Sequence, residues 1–162
     1  MLKKLHIIFS FFLVLIFTTS SVNGQVTQKP VAKIFVKFKP PTVKTYLGKI
    51  SGNDATAGVV EIKNLVLLSI KVIDEKDVSY TINSYQFLYK RSGETEDEES
   101  GKTSPQTDIV SNHFNTTPLP DIWQKNIIEG AHKGEELYFF DIIAIDKQGR
   151  RFFAPELKIK IQ

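Results

Sequence analysis

The chain contains no cysteine. That excludes thiolate nucleophiles, cysteine-ligated zinc and iron–sulfur centres, and it leaves the fold to hold together without disulfides. Histidine is nearly as scarce. His6 lies in an apolar N-terminal segment, while His113 and His132 stand far apart with no spaced partner, so the sequence spells out no histidine metal site. The apolar run near the N-terminus falls short of the roughly 20 residues of a membrane-spanning helix. A surplus of one charge sign is missing too: the formal net charge is +3, and Lys3 and Lys4 supply two of those charges. The remainder is close to neutral and gives no electrostatic reason to expect nucleic acid. A Gly-x-Ser-x-Gly elbow, a phosphate-cradling glycine loop and a paired-acid motif are all absent. Acids are plentiful, but their order alone pairs none of them for glycosidase-like work. The expectation is a protein that is not an enzyme and uses no cofactor or metal.

What is present points to export. Met1-Leu2-Lys3-Lys4 is a short basic start, Leu5 to Phe17 an apolar core, and Thr18 to Gly24 a small, polar exit with Val22 and Gly24 placed for cleavage before Gln25. Residues 1–24 are therefore expected to be a cleaved signal peptide. That predicts an exported protein, periplasmic or reaching the surface, with no stable membrane anchor after cleavage. Residues 25–39 follow as a lead-in and first strand, in which Ala32, Ile34, Val36 and Phe38 alternate with Lys33, Phe35 and Lys37 before Pro40-Pro41 stops the run.

Residues 40–162 read as one all-β domain, an antiparallel β-sandwich of about seven strands with one short helix. Twelve phenylalanines and five tyrosines give it ample core material. Val43 to Leu47 is a short extended piece, and the pattern at Ala55 to Val60 does not separate a helical turn from a strand entry. Leu65 to Ile73 reads as a strand ended by the turn Asp74-Glu75-Lys76-Asp77. In Val78 to Lys90 the apolar parity changes from Val78, Tyr80 and Ile82 to Tyr85, Phe87 and Tyr89, which predicts a bulge or a sheet crossing at Asn83-Ser84.

Ser92 to Thr107, with Glu94, Glu96, Asp97, Glu98 and Glu99, reads as a solvated loop; a calcium site is the sharper alternative, although the spacing matches no calcium loop. Ile109 to Phe114 reads as a strand, and Asn115-Thr116-Thr117 fits the glycosylation acceptor pattern. Pro120 to Ile128 reads as the helix, with Ile122, Trp123 and Ile127 on its packing face and Gly130 or Gly134 ending it. Trp123 is expected to staple this helix to the sandwich.

The clearest segment is Lys133 to Gln162. Leu137, Phe139, Ile143 and Ile145 share one parity, and Tyr138, Phe140, Ile142 and Ala144 the other, as in a strand buried on both faces. Asp146-Lys147-Gln148-Gly149 makes the turn of a hairpin, and Leu157, Ile159 and Ile161 alternate with Lys158 and Lys160 in the returning strand.

This segment resembles the end of the gliding-motility protein family GldM, on the residues Lys133-Gly134, Leu137 to Ala144, Asp146 to Gly149, Arg151 and Pro155. Tyr46-Leu47-Gly48, Gly52 and Ile82-Asn83-Ser84-Tyr85 fall in the same order. The turn departs from that family's Pro-Asp-Gly, and the chain has a signal segment and one domain in place of a membrane-anchored motor part. The resemblance implies an immunoglobulin-like periplasmic domain associated with type IX secretion or gliding, working by contact with another envelope protein, while a motor role does not carry over. For that contact the hairpin tip is the candidate, with Lys147, Arg150 and Arg151 offering cations to acidic groups or carbonyls of a partner; ordinary solubilising charges are the plain alternative. A secreted carbohydrate-binding sandwich is the rival reading, with Trp123, Tyr46 and Tyr80 as its aromatics. An unrecognised hydrolase would need acids converging in a cleft.

Overall fold

A computed structural model of the chain describes residues 37–96 and 101–162. The expected signal peptide and nearly all of the expected Ala32–Phe38 strand lie outside those residues. The first described strand is β1 (Val43–Leu47), which buries Val43, Thr45 and Leu47. It turns back into the two-residue β2 (Ile50–Ser51) through Gly48. Gly48 has φ +61, which favours glycine, and a Cβ there would sit 2.6 Å from Leu65 Cδ2, so the Leu65 side chain would have to move. After β3 (Ala55–Ala57) comes the helix α1 (Val59–Leu65), which starts where the sequence left a helical turn and a strand entry open and takes Leu65 from the expected Leu65–Ile73 strand. Ile62 and Leu65 are its buried residues and Val66 is buried at its C-cap, a helical three-and-four spacing hidden inside a short apolar run. The strand follows later, as β4 (Ile70–Asp74).

The longest element is β5 (Ser79–Glu96), paired antiparallel with β6 (Thr103–Phe114) from Tyr85↔Phe114 out to Glu96↔Thr103. Most of the acidic stretch is therefore a two-stranded ribbon, which corrects the expectation of a loop; residues 97–100 lie outside the described set. The stretch defeats pattern reading because its side chains are exposed on both faces. The helix α2 (Asp121–Gly130) comes next, after a cis Thr117–Pro118 bond. It ends at Gly130, and Gly134 instead takes φ +94 in the turn that leads to the next strand. Ile127 is buried, but Ile122 is 62% exposed and not on the packing face. Trp123 staples the helix as expected, meeting Phe87 and Phe114 edge-on with centroids 5.5 and 5.6 Å away.

The C-terminal hairpin forms from β7 (Glu136–Ile145), β8 (Arg151–Phe153) and β9 (Leu157–Ile161). The returning strand is split: β8 pairs with the second half of β7 and β9 with its first half. The apolar parity of β7 also slips. Leu137 and Phe139 are buried, then Ile142 and Ala144, while Ile143 is only half-buried. The slip occurs at Asp141, whose φ is +48.

The nine strands among the described residues run in the order β2-β1-β4-β5-β7-β9-β3, with β6 added to β5 and β8 to β7. β5 pairs with β4 through Ser79 and Tyr80 and takes β6 as its neighbour from Tyr85 onward. It thus passes from one sheet to the other, and the two curl around a core centred on Tyr85, Phe87, Tyr89, Phe139, Ile142 and Leu157. The fold is all-β and sandwich-like. The β3–β9 pair is parallel, so the sheet is mixed, and among the described residues there are two helices rather than one.

Candidate functional site

Two turns border the principal groove, and they are built alike. In the β7–β8 turn, Asp146 Oδ1 accepts from the backbone N–H groups of Gln148 and Arg150, both at 2.9 Å, and Gly149 N–H donates to Asp146 O. In the β4–β5 turn, Asp74 Oδ1 accepts from Lys76 N–H at 2.8 Å and Val78 N–H at 2.9 Å, and Asp77 N–H donates to Asp74 O. The left-handed position is Gly149 in one and Asp77, with φ +60, in the other. A carboxylate that gathers backbone donors in this way fixes a turn more firmly than hydrophobic packing could at so exposed a place.

The second oxygen of each carboxylate holds a side chain at the groove. Arg150 Nε–H donates to Asp146 Oδ2 at 2.7 Å, and the guanidinium carbon lies 4.3 Å from the centroid of the Phe38 ring. Tyr80 O–H donates to Asp74 Oδ2 at 2.9 Å, and its ring packs edge-on against Phe152. The groove between these turns has a volume of about 390 Å³, and Phe38, Lys39, Tyr80, Asp146, Lys147 and Arg150 contribute to its lining.

Electrostatics follow from the bonding. Burial works to raise the Asp146 carboxyl, but the Arg150 N–H, the Arg150 guanidinium and the Gln148 N–H outweigh it and hold the group below the usual carboxylate range. The Val78 N–H does most to lower Asp74, and the bond to Asp74 raises the Tyr80 phenol. Among the described residues, the groove therefore presents Lys39 and Lys147 without a paired carboxylate, beside two aromatic rings and an arginine already held by Asp146. The groove's one carboxylate is fully engaged in the turn. Such a lining can seat an extended segment that carries carbonyls or carboxylates.

Of the three hairpin-tip cations that the sequence offers, Lys147 and Arg150 line this groove and Arg151 does not. Arg151 is exposed on the outer face of β8, on the same side as Phe153, which is 71% exposed. Phe38, Lys39 and Tyr80 come from elsewhere in the chain, and no local pattern connects them with the hairpin. The aromatics of the carbohydrate reading are differently engaged. Trp123 is packed between Phe87 and Phe114, Tyr80 is tied to Asp74, and Tyr46 lines a second depression with Asp74, Glu75 and Asp77. Among the described residues no group of three or more acidic or histidine side chains is placed to hold a metal, and no helix is long and apolar enough to cross a membrane. No family model matches the chain, and no curated protein matches it in sequence.

Proposed function

We propose that the chain is an exported, non-enzymatic interaction module that docks on another envelope protein through the β7–β8 hairpin. The observation that carries this reading is the composition of the hairpin end. Phe153 is 71% exposed beside Arg151, and the groove around the turn adds Lys147, Arg150, Phe38 and Tyr80. Arginine and large aromatics are enriched at the centres of protein interfaces, and here an exposed Phe153 stands beside an exposed Arg151 on β8. Export is supported by Lys3-Lys4 and the apolar run Leu5 to Phe17. A place within or beside a type IX secretion or gliding-like assembly is supported by the resemblance of Lys133 to Pro155 to the GldM family.

The test is affinity capture of the tagged chain from the cell envelope, followed by mass spectrometry. The expected result is an envelope protein whose recovery drops at least tenfold with Lys147→Glu, Arg151→Glu or Phe153→Ser. Arg150 is left intact because it holds the turn. Retention on a glycan array with no captured protein overturns the reading in favour of a carbohydrate-binding sandwich. Capture unchanged by all three variants removes the hairpin as the docking surface.

A further inference from the structure

Among the described residues β6 pairs with β5 alone, so its other side is a sheet edge up to twelve residues long. The backbone groups that face outward can be identified. Ser92 N–H donates to Glu135 Oε1, on the β7 side of β5. Even-numbered residues in this half of β5 therefore address β7, and odd-numbered ones address β6. Opposite Phe87 and Tyr89 stand Asn112 and Val110, so the even-numbered residues of β6 are bonded to β5. The odd-numbered ones, Pro105, Thr107, Ile109, Ser111 and His113, point away from the sheet. Two details agree with this parity. Pro105 has no N–H to lose there, and His113 N–H is taken by Asn112 Oδ1 at 2.8 Å.

Edge strands are commonly guarded by lysines, prolines or bulges. β6 has no lysine and a single proline, and Ile109 in its middle is 58% exposed. Its donors are closed at Pro105 and at His113 and open in between.

We propose that this edge pairs with a second copy of the chain, antiparallel, about a twofold axis at Ile109. In that register Ile109 faces Ile109, Thr107 faces Ser111, and Pro105 faces His113. The two positions without a free donor fall opposite each other at both ends. The three pairs between them form about six hydrogen bonds, two for each pair of an antiparallel ladder. A shift of two residues either way sets Pro105 against Ser111 or His113 against Thr107, so that carbonyls inside the ladder lose their donors. Charge agrees with the central register. Asp108 lies opposite Val110 and is already paired with Arg91 of its own chain, and the antiparallel arrangement sends the two acidic ribbon tips to opposite ends. The exposed Ile109 side chains then cover each other at the axis.

The absence of cysteine makes the test clean. Sedimentation equilibrium of the full chain as it accumulates in the producing cell should give a dimer. Ile109→Pro deletes the central outward N–H without touching the even-numbered ladder to β5, and it should shift the mass to monomer with the circular dichroism unchanged. Should that variant not fold, single-cysteine variants decide. With a short bifunctional thiol reagent, Ile109→Cys should join to itself and a mixture of Thr107→Cys and Ser111→Cys should join across copies. Thr107→Cys alone, about 13 Å from its own copy at the strand rise per residue, should not. A monomer at every concentration, a monomer that instead takes up a basic extended peptide, or a dimer in which Thr107→Cys joins to itself overturns the proposal. The hairpin-tip variants Lys147→Glu and Arg151→Glu should leave the dimer intact, so this edge and the docking surface stand or fall separately.

Discussion

Asn83 and Asp141 are the two surplus residues of the β5–β7 ladder, and they cancel. Between the pairs Ile82↔Ala144 and Ser84↔Ile143, β5 advances two residues while β7 advances one. Between Ser84↔Ile143 and Gln86↔Phe140, β7 advances three while β5 advances two. One bulge on each strand restores the register, so that Phe87 faces Phe139 with the same offset that joins Thr81 to Ile145. Both strands change their inward parity at the same level of the sheet. This keeps the core continuous from Ile82 and Ala144 to Phe87 and Phe139 while β5 crosses from one sheet to the other.

The slip at Asp141 decides which of two adjacent isoleucines supports the core. Ile142 is fully buried and Ile143 only partly. Ile142→Ala should cost about 2–5 kcal/mol and Phe139→Ala about 3–5 kcal/mol, by loss of transfer energy and by the cavity left behind. Ile143→Ala should cost less than half as much as Ile142→Ala. Urea unfolding of the three variants checks this, and equal costs at Ile142 and Ile143 would place the bulge elsewhere.

Glu135 is a second internal anchor. It is 1% exposed and accepts from Tyr89 O–H, from His132 N–H at 2.9 Å and from Ser92 N–H at 3.2 Å. It ties the turn after α2 to β5, and burial together with this bond pushes the Tyr89 phenol up. Glu135→Ala strands one buried donor, Tyr89 O–H, at about 1–3 kcal/mol. The part-buried His132 and Ser92 N–H groups add to it, so the variant should lose about 2 kcal/mol. Glu135→Gln keeps an accepting oxygen and should fall between alanine and wild type. A loss under about 0.5 kcal/mol for alanine would mean that water replaces the carboxylate freely.

Local chemistry was legible in the sequence, and pairing between distant segments was not. The hairpin turn at Asp146 to Gly149, helix α2 with its tryptophan, and the parity change at Asn83-Ser84 all announce themselves within a few residues. The matching change at Asp141 is silent because Ile142, Ile143, Ala144 and Ile145 fill both parities with apolar side chains. Ile62, Leu65 and Val66 suit a helix, yet the run that continues through Leu68 also suits a strand, and a run this short does not distinguish them. The acidic ribbon has no apolar face, so its pairing leaves no trace in the composition. The groove shows the same division. Lys147 and Arg150 are visible because they belong to the turn, whereas Phe38 and Tyr80 reach the groove only through tertiary packing.

The two aspartate-anchored turns place different residues at their left-handed position, and that difference is measurable. A Cβ at Gly149 would meet nothing within 4 Å, so Gly149→Ala tests backbone conformation alone. With φ at +78 the substitution should cost about 1–2 kcal/mol. At Asp77, where φ is +60, glycine removes a small conformational cost but adds unfolded-state freedom, so Asp77→Gly should stay within about 1 kcal/mol of wild type. Thermal melts of both variants should therefore diverge in opposite or unequal directions. A loss at Asp77 as large as that at Gly149 would show that the Asp77 side chain itself holds its turn.

Acid should loosen the same turns, in a direction fixed by their bonding. The folded Asp146 and Asp74 carboxyls lie below their ordinary value of about 3.9. A group depressed in the folded state contributes stability that is fully present above its unfolded pKa. That contribution is lost as the pH falls through the folded value. Lowering the pH from about 5 towards 2 should therefore reduce the melting temperature of the wild-type chain. The remaining carboxylates contribute to that decline as well, so the informative quantity is the difference from a variant. Asp146→Asn should melt lower than wild type at neutral pH, and its curve should converge on the wild-type curve in acid, once the wild-type carboxylate has taken up its proton. Curves that stay parallel over the whole range would mean that the charge of Asp146, as distinct from its hydrogen-bonding shape, contributes nothing to the hairpin turn.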